Sequence, residues 1–237
     1  MKDRQPMSLL QIPPWISCAG PAGSWCVHTD IQGKGKDGDY EVLKNETLRC
    51  IESHKPVLTL YTNGSVSDGT FNGGAAMVIT SGPADSPTIV DVWKRRGCLL
   101  TPSFEEEKEA MSMALEWIIS NEPKDRILIC SDSQSLLKAI ENDSEETCEV
   151  RAKLLQVKND VIYQWVPGHV KIPGNEAADQ AAKEAATITD DPPRPVSLAA
   201  ALRCVNRSIQ DMSIKQLSTA QVYRNFNQAK DLSLIHI

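Results

Sequence analysis

The strongest constraint on this chain is a change of apolar rhythm between Pro56 and Thr187. Three β-type runs come first, and strand-sized runs then alternate with helix-sized ones. Val57–Tyr61 is a brief apolar run that meets Asn63-Gly64, a pair expected to turn the chain. Gly73–Thr80 and Thr88–Arg96 are β-rich and flank Gly82-Pro83, so a meander of three antiparallel strands is predicted. In the third strand Val90, Val92 and Lys94 alternate with Ile89, Asp91 and Trp93, which suits a sheet with one face partly exposed.

A helix follows. Ser103 with Glu106 reads as a capping box, and Phe104, Met111, Ala114, Leu115 and Ile118 continue at helical spacing. Glu107 lies on that apolar stripe and is expected to face the sheet, while Glu105, Glu106 and Glu109 point to water. Ile127–Cys130 is too short for a helix and fits a buried strand. Ser133–Ile140 and Glu146–Lys158 read as helices, Val161–Trp165 as a fifth strand, and Asn175–Ala186 as an Ala-rich final helix. The order β-β-β-α-β-α-α-β-α predicts an α/β fold, a mixed sheet with helices on both faces. Right-handed crossovers set the fourth strand parallel to the first. Asn63 and Asp132 then fall just past the carboxyl ends of neighbouring strands, where open α/β sheets hold their sites.

Residues 1–55, with Pro13-Pro14 and a Gly-rich stretch, read as a poorly structured leader or linker with room for a short helix around Asp39–Glu52. The domain proper spans 56–187. Beyond it Asp190-Asp191-Pro192-Pro193-Arg194-Pro195 reads as a linker, and residues 188–237 as a tail with short helices at Leu198–Ile209 and Thr219–Ala229. Seven irregularly spaced Cys suit reduced thiols in an intracellular setting, nucleus or cytoplasm. Cys18 and Cys26 lack a second Cys/His pair at finger spacing, which argues against zinc. No apolar run approaches the roughly 20 residues of a membrane span, and the first residues make a poor secretory signal. The chain carries a net −6, and residues 56–187 hold 12 Lys and Arg against 20 Asp and Glu, a net −8. Adhesion to nucleic acid by bulk charge is thereby disfavoured.

Four stretches stand in a fixed order: Tyr61-Thr62-Asn63-Gly64-Ser65, Glu107 in the first helix, Cys130-Ser131-Asp132-Ser133, and Trp165-Val166-Pro167-Gly168-His169 followed by Gly174-Asn175-Glu176-Ala177-Ala178-Asp179. Over residues 56–187 the chain resembles the type 1 ribonuclease H family, and its wording is similar to the ribonuclease H region of non-LTR retrotransposon polyproteins. The resemblance implies an RNase H-like fold with a five-stranded mixed sheet in the order 3-2-1-4-5. It implies endonucleolytic hydrolysis of the RNA strand of RNA/DNA hybrids, with two Mg²⁺ ions, or Mn²⁺, held by four carboxylates. It also implies a monomer and a reverse transcriptase domain from the same element as partner.

Carried over residue by residue, the resemblance makes Glu107, Asp132 and Asp179 metal ligands and His169 the proton-relaying or product-releasing histidine. Outside the resemblance Asp132 or Ser131 would serve as a helix N-cap. Gly64, Ser65, Asn72, Gly73 and Gln134 become substrate-contacting positions, and Lys94-Arg95-Arg96 is the basic cluster that could meet phosphates. The departure is Asn63, which stands where the family carries its first aspartate. Asparagine offers one neutral carbonyl oxygen and turns N–H donors toward a cation. The catalytic set is therefore Asn63, Glu107, Asp132, His169 and Asp179 with its first ligand weakened. The alternative is a catalytically inactive, nucleic-acid-binding pseudoenzyme or an interaction module. Asp68, five positions on, is a candidate compensating carboxylate.

Overall fold

Six strands lie in the order β1-β6-β5-β2-β3-β4, with helices on both faces. The structure is a computed structural model and describes residues 25–28, 40–67, 69–123 and 126–219. The strands are β1 (Trp25–His28), β2 (Leu58–Ser67), β3 (Phe71–Ser81), β4 (Thr88–Arg96), β5 (Ile127–Ser131) and β6 (Val161–Trp165). The helices are α1 (Tyr40–Ser53), α2 (Ser103–Asn121), α3 (Gln134–Glu141), α4 (Cys148–Leu154), α5 (Pro173–Ala186) and α6 (Leu198–Thr219), with a 3₁₀ turn at Glu145–Thr147.

The sheet splits its side chains by the period of two that strand geometry imposes. Leu60, Met77, Ile79, Ile129 and Tyr163 face α2, α3 and α4, where Met111, Leu115, Leu136, Ile140 and Val150 complete one core. Tyr61, Val78, Leu128 and Ile162 face α1 and α5, where Ile51, Ala178, Ala181 and Ala182 complete the other. The β2–β3–β4 meander is antiparallel, and β5 and β6 run parallel to β2. The expected order 3-2-1-4-5 is present, extended by a sixth strand. That strand, β1, pairs parallel with β6 through Trp25↔Val161 to His28↔Gln164.

Within residues 1–55 the described residues form β1 and α1, and α1 lies where a short helix around Asp39–Glu52 was expected. Four residues at a sheet edge carry too little periodicity to be seen, and α1 is held by few inward residues, Thr47 and Ile51. Asn63-Gly64 is not a turn. β2 continues through it to Ser67 because β3 supplies partners, Asn63↔Ala76 and Gly64↔Ala75. The Ser103 capping box is also absent, since the N-cap is Pro102 and makes no side-chain bond. At α3 the N-cap is Ser133, and its N–H donates to Ser131 Oγ at 3.2 Å.

The 190–195 segment is more than a linker. Arg194 N–H donates to Gly97 O at 3.1 Å, and α6 beyond it buries Ala200 and Cys204. The helix expected at Thr219–Ala229 lies outside the described residues after Thr219, as do Cys18 and Asp68.

Candidate active site

The parallel ladder between β2 and β5 ends at Thr62↔Ser131, which makes Asn63 and Asp132 the next residues on adjacent strands. Asn63 is 4% exposed, and its Nδ2 donates to Asp132 Oδ2 at 3.1 Å. Asn175, buried on the first turn of α5, donates its Nδ2 to the same oxygen at 3.4 Å. Trp165 Nε1 donates to the Asp132 backbone carbonyl at 3.1 Å, tying β6 to the same corner.

Glu107 reaches this corner because α2 lies directly on β2. A side chain at Gly64 would stand 2.3 Å from the Glu107 nitrogen and 2.5 Å from the Glu106 carbonyl carbon, so glycine permits the contact. The Gly64 N–H also donates to the Glu107 carboxyl. Asp179 stands one turn along α5 from Asn175 and pairs with Lys183 Nζ at 2.5 Å. His169 is exposed at φ 61°, following Gly168, where a Cβ would lie 3.3 Å from Asp132 Oδ2. The structure thus gathers Asn63, Glu107, Asp132, Asp179 and His169 at one corner of the sheet.

Burial is the first cause of the electrostatics here. It drives the Glu107 carboxyl well above the usual carboxylate range, and the charges of Asp132 and Asp179 add to that. Burial likewise raises Asp132. The Asn175 hydrogen bond and His169 oppose the rise, and Asp179 reinforces it. Glu107 Oε2 is buried with no hydrogen-bond partner, and so is Asn175 Oδ1. Such an unpartnered carboxyl oxygen beside two other carboxyls is the hard-oxygen chemistry a divalent cation takes once the groups are ionised. Among the described residues, no three His, Cys, Asp or Glu side chains close on one ligating point. The Asn63 amide occupies the Asp132 oxygen that would turn toward a cation. Glu107, Asp132 and Asp179 have the hard-oxygen chemistry a divalent cation takes without being closed on one point, and the Asn63 amide does not supply it.

A pH dependence follows from these directions. Carboxyls whose folded pKa is raised hold their protons more tightly in the folded chain than in the unfolded one. Their contribution is complete below the unfolded value of about 4 and is lost as pH rises through the folded values. Metal-free protein is expected to melt at a higher temperature at pH 5 than at pH 8. The check is circular dichroism at both pH values with chelator present, and an opposite slope contradicts the assignment.

A family model described as RNase H matches residues 55–187, more than half of the chain. The chain belongs to the RNase H family. Similar solved structures include the RNase H1 of Halobacterium salinarum NRC-1, at 24% identity over 54% of this chain and 96% of that one, TM-score 0.43. Another is LC11-RNase H1 in complex with RNA/DNA hybrid, at 15% identity over 54% and 98%, TM-score 0.44. A third is the foamy viral protease-reverse transcriptase in complex with dsDNA, at 18% identity over 56% and 96%, TM-score 0.46. No match was found among curated proteins.

The expected substrate positions of this RNase H domain fare unequally. Ser65 and Gln134 are half-buried beside the corner, and Asn72 is exposed at φ 46°. Gly64 gives its N–H to Glu107. Gly73 is buried, with its N–H on Cys98 O at 2.9 Å and a Cβ position 2.4 Å from Glu106 Oε1, which explains it without a substrate. The basic cluster is engaged within the fold: Lys94 pairs with Glu184, Arg95 with Glu109 and Glu116, and Arg96 with the Thr189 and Asp191 carbonyls.

Glu106 corrects the expectation that the neighbours of Glu107 point to water. It is fully buried, receives Cys98 N–H at 3.3 Å, and pairs with Arg194 Nη2 at 2.5 Å. Burial still leaves its carboxyl above the usual range, although Arg194 pulls it down. The role of Asn175 was also missed. Its signal was its place one turn before Asp179.

Proposed function

We propose that this RNase H domain is a divalent-metal-dependent endonuclease type for the RNA strand of RNA/DNA hybrids, with turnover impaired at Asn63. The observation that supports this reading is the corner where Glu107, Asp132 and Asp179 lie close enough to act on one another electrostatically, with an unpartnered Glu107 oxygen beside an exposed His169. Glu107, Asp132 and Asp179 would hold Mg²⁺ or Mn²⁺. Such ions supply a lowered pKa to bound water and charge to the phosphate oxygens.

The chain's own groups do the rest. Asn175 fixes the orientation of Asp132 through its amide. The left-handed backbone of His169 presents an imidazole that can carry a proton to or from the phosphodiester. A protonated Glu107 is a poor ligand, so binding releases its proton and activity should rise with pH. Ser65, Asn72 and Gln134 would be the groups that contact sugar and phosphate.

A second reading, a pseudoenzyme that only binds, is favoured by one contact. The Asn63 amide holds the Asp132 oxygen as a cation would, stabilising an ion-free corner.

The test is cleavage of a strand-labelled hybrid by the purified chain in Mn²⁺. Slow scission of the RNA strand is expected, with all-DNA duplex untouched and Asp132→Asn inactive. Cleavage that survives Asp132→Asn would arise elsewhere and would refute the assignment.

A further inference from the structure

Two Cys/His pairs meet at the β1 edge of the sheet, away from the carboxylate corner and outside the residues that match the family. Cys26 and His28 are alternate residues on β1, so both side chains leave the same side of the strand. Cys50 and His54 are four apart along α1 and its end, so both lie on one helix face. The two pairs face each other across Gln164 of β6, which pairs in register with His28.

Cys26 Sγ lies 3.4 Å from His28 Nε2, and the His28 and His54 rings are 5.0 Å apart. Cys50 Sγ and His54 Nε2 both contact Gln164 Oε1, at 3.1 Å and 3.0 Å. Zinc bonds of about 2.3 Å to sulfur and 2.0 Å to nitrogen, set tetrahedrally, hold those atoms about 3.5 Å apart, which the Cys26–His28 pair already matches.

We propose that Cys26, His28, Cys50 and His54 form a Zn²⁺ site that staples β1 and α1 to the edge of the RNase H sheet. Two thiolates and two imidazoles are the donor set of closed, structural zinc sites, and neither magnesium nor manganese prefers it. The four donors are not yet closed on one point, because Gln164 Oε1 takes the hydrogen bonds of Cys50 and His54. Zinc replaces those bonds. Cys26 and Cys50 lose their thiol protons to solvent, and His54 shifts its ring proton to Nδ1, freeing Nε2 to ligate. Gln164 stays anchored through its Nε2, which donates to Trp165 O at 2.8 Å. Cys26 is exposed and the other three are half-buried, so an ion has access.

The test is metal content of the full chain after chelator stripping, zinc reconstitution and desalting, beside a Co²⁺ titration. About one zinc per chain is expected, with a thiolate-to-cobalt charge-transfer band and tetrahedral visible bands. The Asp132→Asn control should keep both, because the site is separate from the carboxylate corner. Cys26→Ser with His54→Ala should lose at least about tenfold of the retained zinc. Absence of stoichiometric zinc in the parent chain, absence of a thiolate band, or full retention by the double variant each overturns the proposal. The cobalt spectrum of the parent chain decides the matter even if the double variant does not fold.

Discussion

Asn63→Asp is expected to let the chain hold one more divalent ion than it does now, and to raise hybrid cleavage by about a thousandfold. The substitution removes the N–H that Asn63 donates to Asp132 Oδ2 and puts an anionic oxygen in its place. Without a cation this makes matters worse, because a third buried negative charge joins Glu107 and Asp132, whose carboxyls burial has already raised. The metal-free variant should therefore be less stable than the parent above neutral pH and should regain stability with Mg²⁺. An added divalent ion would supply several kcal/mol of transition-state charge stabilisation, which at about 1.4 kcal/mol per decade gives the stated rate gain. Counting bound Mn²⁺ by paramagnetic resonance in both proteins checks the first half. Equal counts would show that Asn63 does not limit ion binding.

The second large effect is on stability. Removing the Arg194 side chain leaves Glu106, fully buried in α2, without its cation. Glu106 cannot turn to water, since Gly73 and Gly97 close over its carboxyl: a Cβ at either would stand 2.4 Å from one of its oxygens. An uncompensated buried charge costs about 3 kcal/mol or more, which lowers the melting temperature of a chain of this size by roughly 6–12 °C. Arg194→Ala should show that loss in thermal denaturation at pH 8. It should shrink as pH falls, because Glu106, already raised by burial, takes a proton more readily there. Adding Glu106→Gln to Arg194→Ala should restore most of the difference. A melting temperature unchanged by Arg194→Ala contradicts the role given to the 190–195 segment. Glu109, which also pairs with Arg194, keeps Arg95 as a partner when Arg194 is removed.

How far this was readable beforehand depended on where the signal sits. The meander and the β5, β6 and α5 elements were legible because each buries its own apolar period, as Ile127–Cys130 and the Ala face of α5 show. Glu107 and Asp132 were legible from helix spacing and from position after a buried strand. What lay hidden depends on partners far along the chain. Asn63-Gly64 reads locally as a turn, and pairing with Ala75 and Ala76 makes it strand. Glu106 reads as solvated, and Arg194, 88 residues on, makes it core. β1 is four residues long and acquires its meaning from β6. Asn175 carried a readable place one turn before Asp179, but nothing in its local sequence reveals the hydrogen bond to Asp132.

The central claim is that a sound RNase H scaffold is limited by one side chain at its carboxylate corner. The most direct measurement is RNA-strand scission of a labelled hybrid by the parent chain and by Asn63→Asp in the same Mg²⁺ titration. Rates about a thousandfold higher for Asn63→Asp, abolished by adding Asp132→Asn, are the predicted result. Equal rates for the two proteins would contradict it.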